Sequence, residues 1–390
     1  MSKFDDIRPY NDSEVRPVLD RILTNPELIQ AVSSLRFPRL GKLLPWLINP
    51  IVSRVLKSQL AGVNSVYDLQ MIVAKYMRKM ITQRVSELTV SGIDKLEPGK
   101  SYVFVSNHRD IAMDPAFVNL VLNDNGLDTV RIAIGDNLLT KDYVSDLMRL
   151  NKSFIVNRSA TAPREKLKAA KHLSAFIHHS VNEESSNIWI AQREGRAKDG
   201  LDKTNTAIVS MLALNRPKPQ PFAEYVRELN IVPVSISYEW DPCDAAKAQE
   251  LYAHQEHGEY EKDEHEDIAS IAAGIAGEKG HVHVAFGDVL KADFENADQV
   301  AAEIDRQVWD NYVLHPSNHL AYKKLHAKKS TYPVSQKGED FVAADYAVEE
   351  KLFEERLAHI PPAQRDIFLA AYANPIVSKE LAEQDAQVEQ

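Results

Sequence analysis

At 390 residues with 44% hydrophobic side chains, the chain is long enough to bury a sizeable core, as one large domain with extensions or as two smaller ones. A formal net charge of −10 argues against a nucleic-acid partner, because proteins that grip phosphate backbones carry a basic excess. The single cysteine, Cys243, excludes an internal disulfide and any cysteine-built metal centre.

The first fifteen residues, MSKFDDIRPYNDSEV, are polar and acidic where an export signal would be apolar. Charge is then distributed unevenly. Between Leu28 and Ser86 nine basic residues stand against one acid, Asp68, so this stretch is strongly positive while the rest of the chain is negative. Residues 1–86 read as helical, with proline breaks at Pro38, Pro45 and Pro50. Residues 37–60 combine Trp46, many leucines and isolated bases without acids, a composition suited to an anionic membrane surface. No uncharged apolar run reaches the ~18 residues that span a bilayer, so contact of this kind would be peripheral. Further on, Leu69, Ile72, Val73, Tyr76, Met80 and Ile81 recur at helical spacing, with Lys75, Arg78 and Lys79 on other faces. That apolar stripe is expected to pack on the core.

From Leu88 the period changes. Short β-rich runs, LTVSG, SYVFVSN, VRIAIG, KSFIVNR, NIWIAQ, IVPVSISY and HVHVAFG, alternate with segments of helical composition at residues 115–122, 141–150, 162–181 and 204–214. This alternation predicts an α/β fold with a mixed or largely parallel sheet flanked by helices. The domains expected are a helical N-terminal region at 1–86, an α/β domain at 87–315 and a helical C-terminal extension at 316–390. Motifs at the strand ends would gather along one edge of the sheet. After Tyr238 the chain is acidic and largely helical. His254, His257 and His265 lie there among carboxylates, but without a zinc-like spacing they read as a solvated run, and no metal is expected. The last ten residues are expected to fray.

The passage SYVFVSNHRDIAMDPAF holds the clearest chemistry. A β-run ends at Ser106, and Asn107 and His108 enter the following loop, where polar side chains project outward. Asp114 before Pro115 has the arrangement of a helix N-cap. A neutral histidine oriented by a carboxylate is also a workable general base.

At these residues the sequence resembles the glycerol-3-phosphate and 1-acylglycerol-3-phosphate (lysophosphatidate) acyltransferase superfamily, whose first block is an Asn-His pair followed by an aspartate. Five residues separate His108 from Asp114, one more than is usual, and Asp110 is the nearby competitor. KSFIVNR resembles the second block and implies that Arg158 binds the acceptor phosphate, as a guanidinium does through paired hydrogen bonds. WIAQREGRAKDG resembles the third. It implies roles for Glu194, Gly195 and Arg196 at the acceptor, with Arg193 or Lys198 sharing the arginine's part. IVPVSISYEWDP resembles the fourth and implies that Pro233 lies near the acyl chain; read physically, proline in a strand suggests an edge or a bulge. The late HVHVAFGD segment fits as well, and the resemblance spans roughly half of the chain.

The implied activity is transfer of a fatty acyl group from acyl-CoA or acyl carrier protein, a donor substrate rather than a bound cofactor. The hydroxyl that accepts it belongs to glycerol-3-phosphate or 1-acylglycerol-3-phosphate, with His108 as base and Asp114 as its partner. The implied location is cytoplasmic, peripheral to the inner face of the cell membrane, against an anionic lipid surface. Two other readings stand beside it: a non-catalytic lipid-binding protein of the same fold, and an acyl thioester hydrolase.

Overall fold

All seven β-rich runs form strands: β1 (Val85–Ser91), β2 (Val103–Ser106), β3 (Arg131–Gly135), β4 (Ser153–Val156), β5 (Ile188–Ala191), β6 (Ile231–Tyr238) and β7 (Gly280–Phe286). The computed structural model describes residues 3–37, 39–261, 263, 266–334 and 342–388, so Pro38 and His265 lie outside the described residues. The four predicted helices between strands are also present, as Met113–Asp124, Asp142–Leu150, Pro163–Asn182 and Thr206–Leu212. The chain divides into two compact units, Met1–Arg78 with Arg131–Phe176, and Lys79–Val130 with Ile177–Gln390.

In the first unit β3 and β4 pair in parallel from Ile132↔Ser153 to Gly135↔Val156. The Asp142–Leu150 helix lies between them in the chain, as a parallel pair requires a crossover. Its core joins Val15, Leu19 and Ile22 of the Asp12–Ile22 helix to Leu28, Val66 and Leu150. Leu69 and Ile72 of the Val66–Arg84 helix pack against that cluster, while Tyr76, on the same stripe, is exposed. Pro45 opens the Pro45–Gln59 helix, and Pro50 lies within it rather than breaking it. That helix buries only Val52. Trp46, Leu47, Ile51 and Val55 are exposed, as are Leu40, Leu43 and Leu44 just before it.

In the second unit five strands form a mixed, largely parallel sheet in the order β1-β7-β6-β2-β5. β1 runs parallel to β7, and β6 runs parallel to β2, which in turn runs parallel to β5; only β6 and β7 are antiparallel. Every residue of β2 and β6 is buried, as befits strands covered on both faces. Because β2, β5 and β6 share one direction, their C-terminal ends lie on the same sheet edge. The loop with His108, the loop with Glu194–Arg196, and Tyr238 all issue from that edge.

Pro233 departs from the edge or bulge suggested by its sequence. It lies in β6, between β2 and β7, opposite Val105. The antiparallel ladder to β7 starts at Val234↔Phe286, so proline falls just past the end of that ladder and its missing N–H costs no strand pairing there. Its carbonyl still accepts a hydrogen bond from the Gly287 amide.

The C-terminal helices carry their own core. Leu320, Ala321 and Tyr322 pack with Phe353, Phe368, Tyr372 and Ile376, and this cluster takes in Trp240 and Ala248. No helix among the described residues is long and apolar enough to cross a membrane.

Candidate active site

β2 delivers Asn107 and His108 to the sheet edge, and Asn107 fastens the start of the loop. Its amide nitrogen donates to the Ile236 carbonyl and to Asp202 Oδ2, both at 3.0 Å, and its Oδ1 accepts from the Ile236 amide at 2.8 Å. A side chain used in this way extends β6 pairing beyond the last residue of β2. The backbone next locks onto the β5 loop, where the Ala197 amide donates to the His108 carbonyl at 2.7 Å.

His108 Nδ1 lies 2.8 Å from Asp114 Oδ2, and the aspartate is fully buried. The same oxygen accepts the amide hydrogens of Arg109, at 2.6 Å, and Asp110, at 2.9 Å. Asp114 Oδ1 accepts the Tyr238 hydroxyl at 2.6 Å. A carboxylate held this way accepts a hydrogen bond from the Nδ1–H of a neutral imidazole and leaves the Nε2 lone pair for chemistry. Nε2 makes no hydrogen bond to a described residue. The ring edge meets Trp189 of β5 at 5.4 Å between centroids, which restricts its rotation.

Asp114 is not the N-cap that its place before Pro115 suggested. The helix starts at Met113, and it is Asp110 whose Oδ1 accepts the Ala112 and Met113 amides, at 3.0 Å each. The extra residue between His108 and Asp114 is absorbed in this Asp110 turn, so the two carboxylates have separate tasks. Burial, and then the charge of Asp114, raise the Asp110 carboxyl above its ordinary range. Gly274, in the Glu266–Ala276 helix, sits directly over Asp110: a Cβ there would come within 2.0 Å of Oδ2.

The residue after the histidine is an anchor. Arg109 donates to Asp202 Oδ2 at 2.6 Å and to the Gly200 carbonyl at 3.3 Å, with its guanidinium over the Tyr312 ring. Lys247 Nζ donates to the Arg109 carbonyl at 2.7 Å and also pairs with Asp241. Although burial disfavours its charge, the Asp202 carboxylate and Tyr312 keep the Arg109 guanidinium firmly protonated. By contrast Lys247, with Arg109, holds the buried Asp241 carboxyl below its ordinary range. A cavity of about 20 Å³, lined by Arg109, Lys198, Tyr238, Asp241, Lys247 and Tyr372 among others, lies within this network. None of it was visible in the sequence, because the partners are far apart in the chain.

The β5 loop places Glu194 and Gly195 at the exposed surface, with Gly195 in the left-handed region at φ +73°. Its three neighbouring cations differ in what holds them. Arg193 pairs with Asp199 at 3.2 Å and Lys198 pairs with Glu250, whereas Arg196 meets only the Ser270 hydroxyl, at 3.3 Å, and no carboxylate among the described residues. Arg158 belongs to the other unit, after β4. It is exposed, its amide donates to Asp136 Oδ1 at 3.0 Å, and its side chain passes over Gly135. Pro233 is buried inside the sheet. No metal-binding cluster of His, Cys, Asp or Glu occurs among the described residues.

Residues 87–237 match the family model described as Acyltransferase. A search of curated proteins returns no match. Among solved structures the chain is similar to PlsC, the 1-acyl-sn-glycerophosphate (LPA) acyltransferase from Thermotoga maritima, at 15% identity and a TM-score of 0.35. That match covers 61% of this chain and 76% of the other.

Proposed function

We propose that the protein moves a fatty acyl group from an acyl thioester to a hydroxyl of a phosphorylated glycerol, a reading supported by the match of residues 87–237 to the family model described as Acyltransferase. The acceptor is glycerol-3-phosphate or its 1-acyl derivative, and the donor is acyl-CoA or acyl carrier protein. The observation that carries this reading is the 2.8 Å contact between His108 Nδ1 and the buried Asp114, which leaves Nε2 as a proton acceptor.

An alcohol does not ionise near neutral pH, so its proton must leave as its oxygen attacks the thioester carbonyl. Nε2 of His108 takes that proton, and Asp114 steadies the imidazolium that results. Collapse of the tetrahedral intermediate breaks the C–S bond, and the imidazolium returns the proton to the departing thiolate. The enzyme forms no covalent bond in this scheme. Arg196, with Glu194 and Gly195, is assigned to the acceptor phosphate, a part the resemblance implies for Arg158 as well, and Pro233 is assigned to the neighbourhood of the acyl chain. Arg196 suits its part because no carboxylate among the described residues pairs with it.

The exposed apolar residues from Leu40 to Val55, flanked by Arg54 and Lys57, are assigned to an anionic membrane surface, where substrate and product reside. The proposed location is the cytoplasmic face of the cell membrane.

The test incubates the protein and anionic vesicles with each donor and each acceptor in turn, and identifies lipid products by mass spectrometry. Acylated product that disappears in His108→Ala, with an unchanged circular dichroism spectrum, is expected. Free fatty acid made without an acceptor would point to hydrolysis instead. Turnover surviving His108→Ala would sink the general-base assignment.

A further inference from the structure

The four hydrogen bonds to Asp114 divide unevenly between its oxygens. Oδ2 takes three, from His108 and from the amides of Arg109 and Asp110, while Oδ1 takes one, from the Tyr238 hydroxyl at 2.6 Å. We infer that Tyr238 is a positioning residue for the reaction proposed above: its hydroxyl fixes the rotation of the Asp114 carboxylate and draws charge from it. In this way it sets both the aim and the basicity of His108. The inference rests on His108 being the general base.

Tyr238 is placed for this by two independent elements. It is the last residue of β6, in register with Val282 of β7, so its backbone is fixed by the sheet. Its ring meets Phe117 edge-on, with centroids 6.0 Å apart. Phe117 stands three residues after Asp114 on the same helix, so tyrosine and aspartate are held against a common support. Burial, together with Asp114 and Asp110, raises the phenol well above its ordinary range, so the hydroxyl remains a donor throughout the working pH range. The other charged groups around it among the described residues are Asp110, Asp241, Asp244, Arg109, Lys198 and Lys247.

The sign of the effect follows from the charge. A neutral donor disperses the negative charge of a carboxylate; without it the carboxylate binds the imidazolium more strongly. Tyr238→Phe keeps the ring and removes only the oxygen. It should lower kcat by about tenfold, the share of one hydrogen bond to a charged group, and leave both Michaelis constants nearly unchanged because Tyr238 is buried. The acid limb of kcat/KM should move to higher pH, and so should the His108 imidazole midpoint followed by ¹⁵N NMR. Tyr238→3-fluorotyrosine, a stronger donor of almost the same shape, should move that midpoint downward.

Opposite shifts in the two variants would support the positioning role. An unmoved midpoint in both overturns it, whether or not kcat falls, since a purely structural tyrosine would alter activity and stability alone. The NMR midpoint is read without turnover. Failure of the acyltransferase reading, seen as activity surviving His108→Ala or as no product with any substrate pair, is therefore distinguishable from failure of this one.

Discussion

Three cations on the β5 loop have the same formal charge and unequal freedom to bind an anion. Arg193 and Lys198 are already paired with Asp199 and Glu250, whereas among the described residues Arg196 meets only the Ser270 hydroxyl. A phosphate gains most from the cation that need not leave another carboxylate first. Arg196→Ala is therefore expected to raise the acceptor's KM by about tenfold or more, the loss of one charge-assisted hydrogen bond, with Arg193→Ala changing it less. Steady-state kinetics with varied acceptor checks this, and equal effects at the two positions would refute the distinction. The sequence offered all three cations without ranking them, because rank depends on what each side chain meets. It also left Asp110 and Asp114 as rivals. Their separation needed the turn geometry, in which one caps a helix and the other faces the histidine.

At the level of elements, local pattern carried most of what was legible. Strands announce themselves by β-branched runs a few residues long, and all seven were readable because each run is self-contained. Their order was not, since neighbours such as β2 and β6 lie more than a hundred residues apart. Hence the place of Pro233, interior rather than at an edge, could be seen only from the sheet. The Pro45–Gln59 helix runs on through Pro50, where the sequence suggested a break, and its exposed Trp46, Leu47 and Ile51 are the residues to change. Burying such side chains in lipid contributes about 1.5–3 kcal/mol each. Replacing Trp46 and Ile51 together by serine is expected to lower partitioning onto anionic vesicles by tenfold or more. Sedimentation with vesicles measures it, and undiminished binding would remove this helix from the membrane contact.

For the whole molecule, acid sensitivity is built into the second unit. His281 of β7 meets the His315 ring edge-on, centroids 4.9 Å apart, among hydroxyls: Thr89 meets both His281 and His283 of β7, Ser91 meets His283, and His315 meets Ser237. Burial pushes His283 and His319 down to about 4. An unfolded histidine titrates near 6.5, so between pH 6.5 and 4 the unfolded chain binds protons that the folded one refuses. Stability from this source is therefore full above 6.5 and lost as pH falls towards 4. Raised carboxyls such as Asp305, at about 6, act in the opposite sense, so the comparison must be with a variant. Relative to His283→Gln, the wild-type protein should lose stability on the order of 3 kcal/mol across that window. Urea titrations at several pH values test it, and parallel curves would show that His283 contributes nothing. Finally, the network behind His108 ends in the last helices of the chain. Lys247 holds the Arg109 carbonyl and Asp241, Arg356 holds Asp244 and the Asp241 carbonyl, and Tyr372 bonds to both Asp244 and the Asp241 amide. A chain that stopped short of Arg356 would contain His108, Asp114 and Tyr238 but lack the struts that brace their loop.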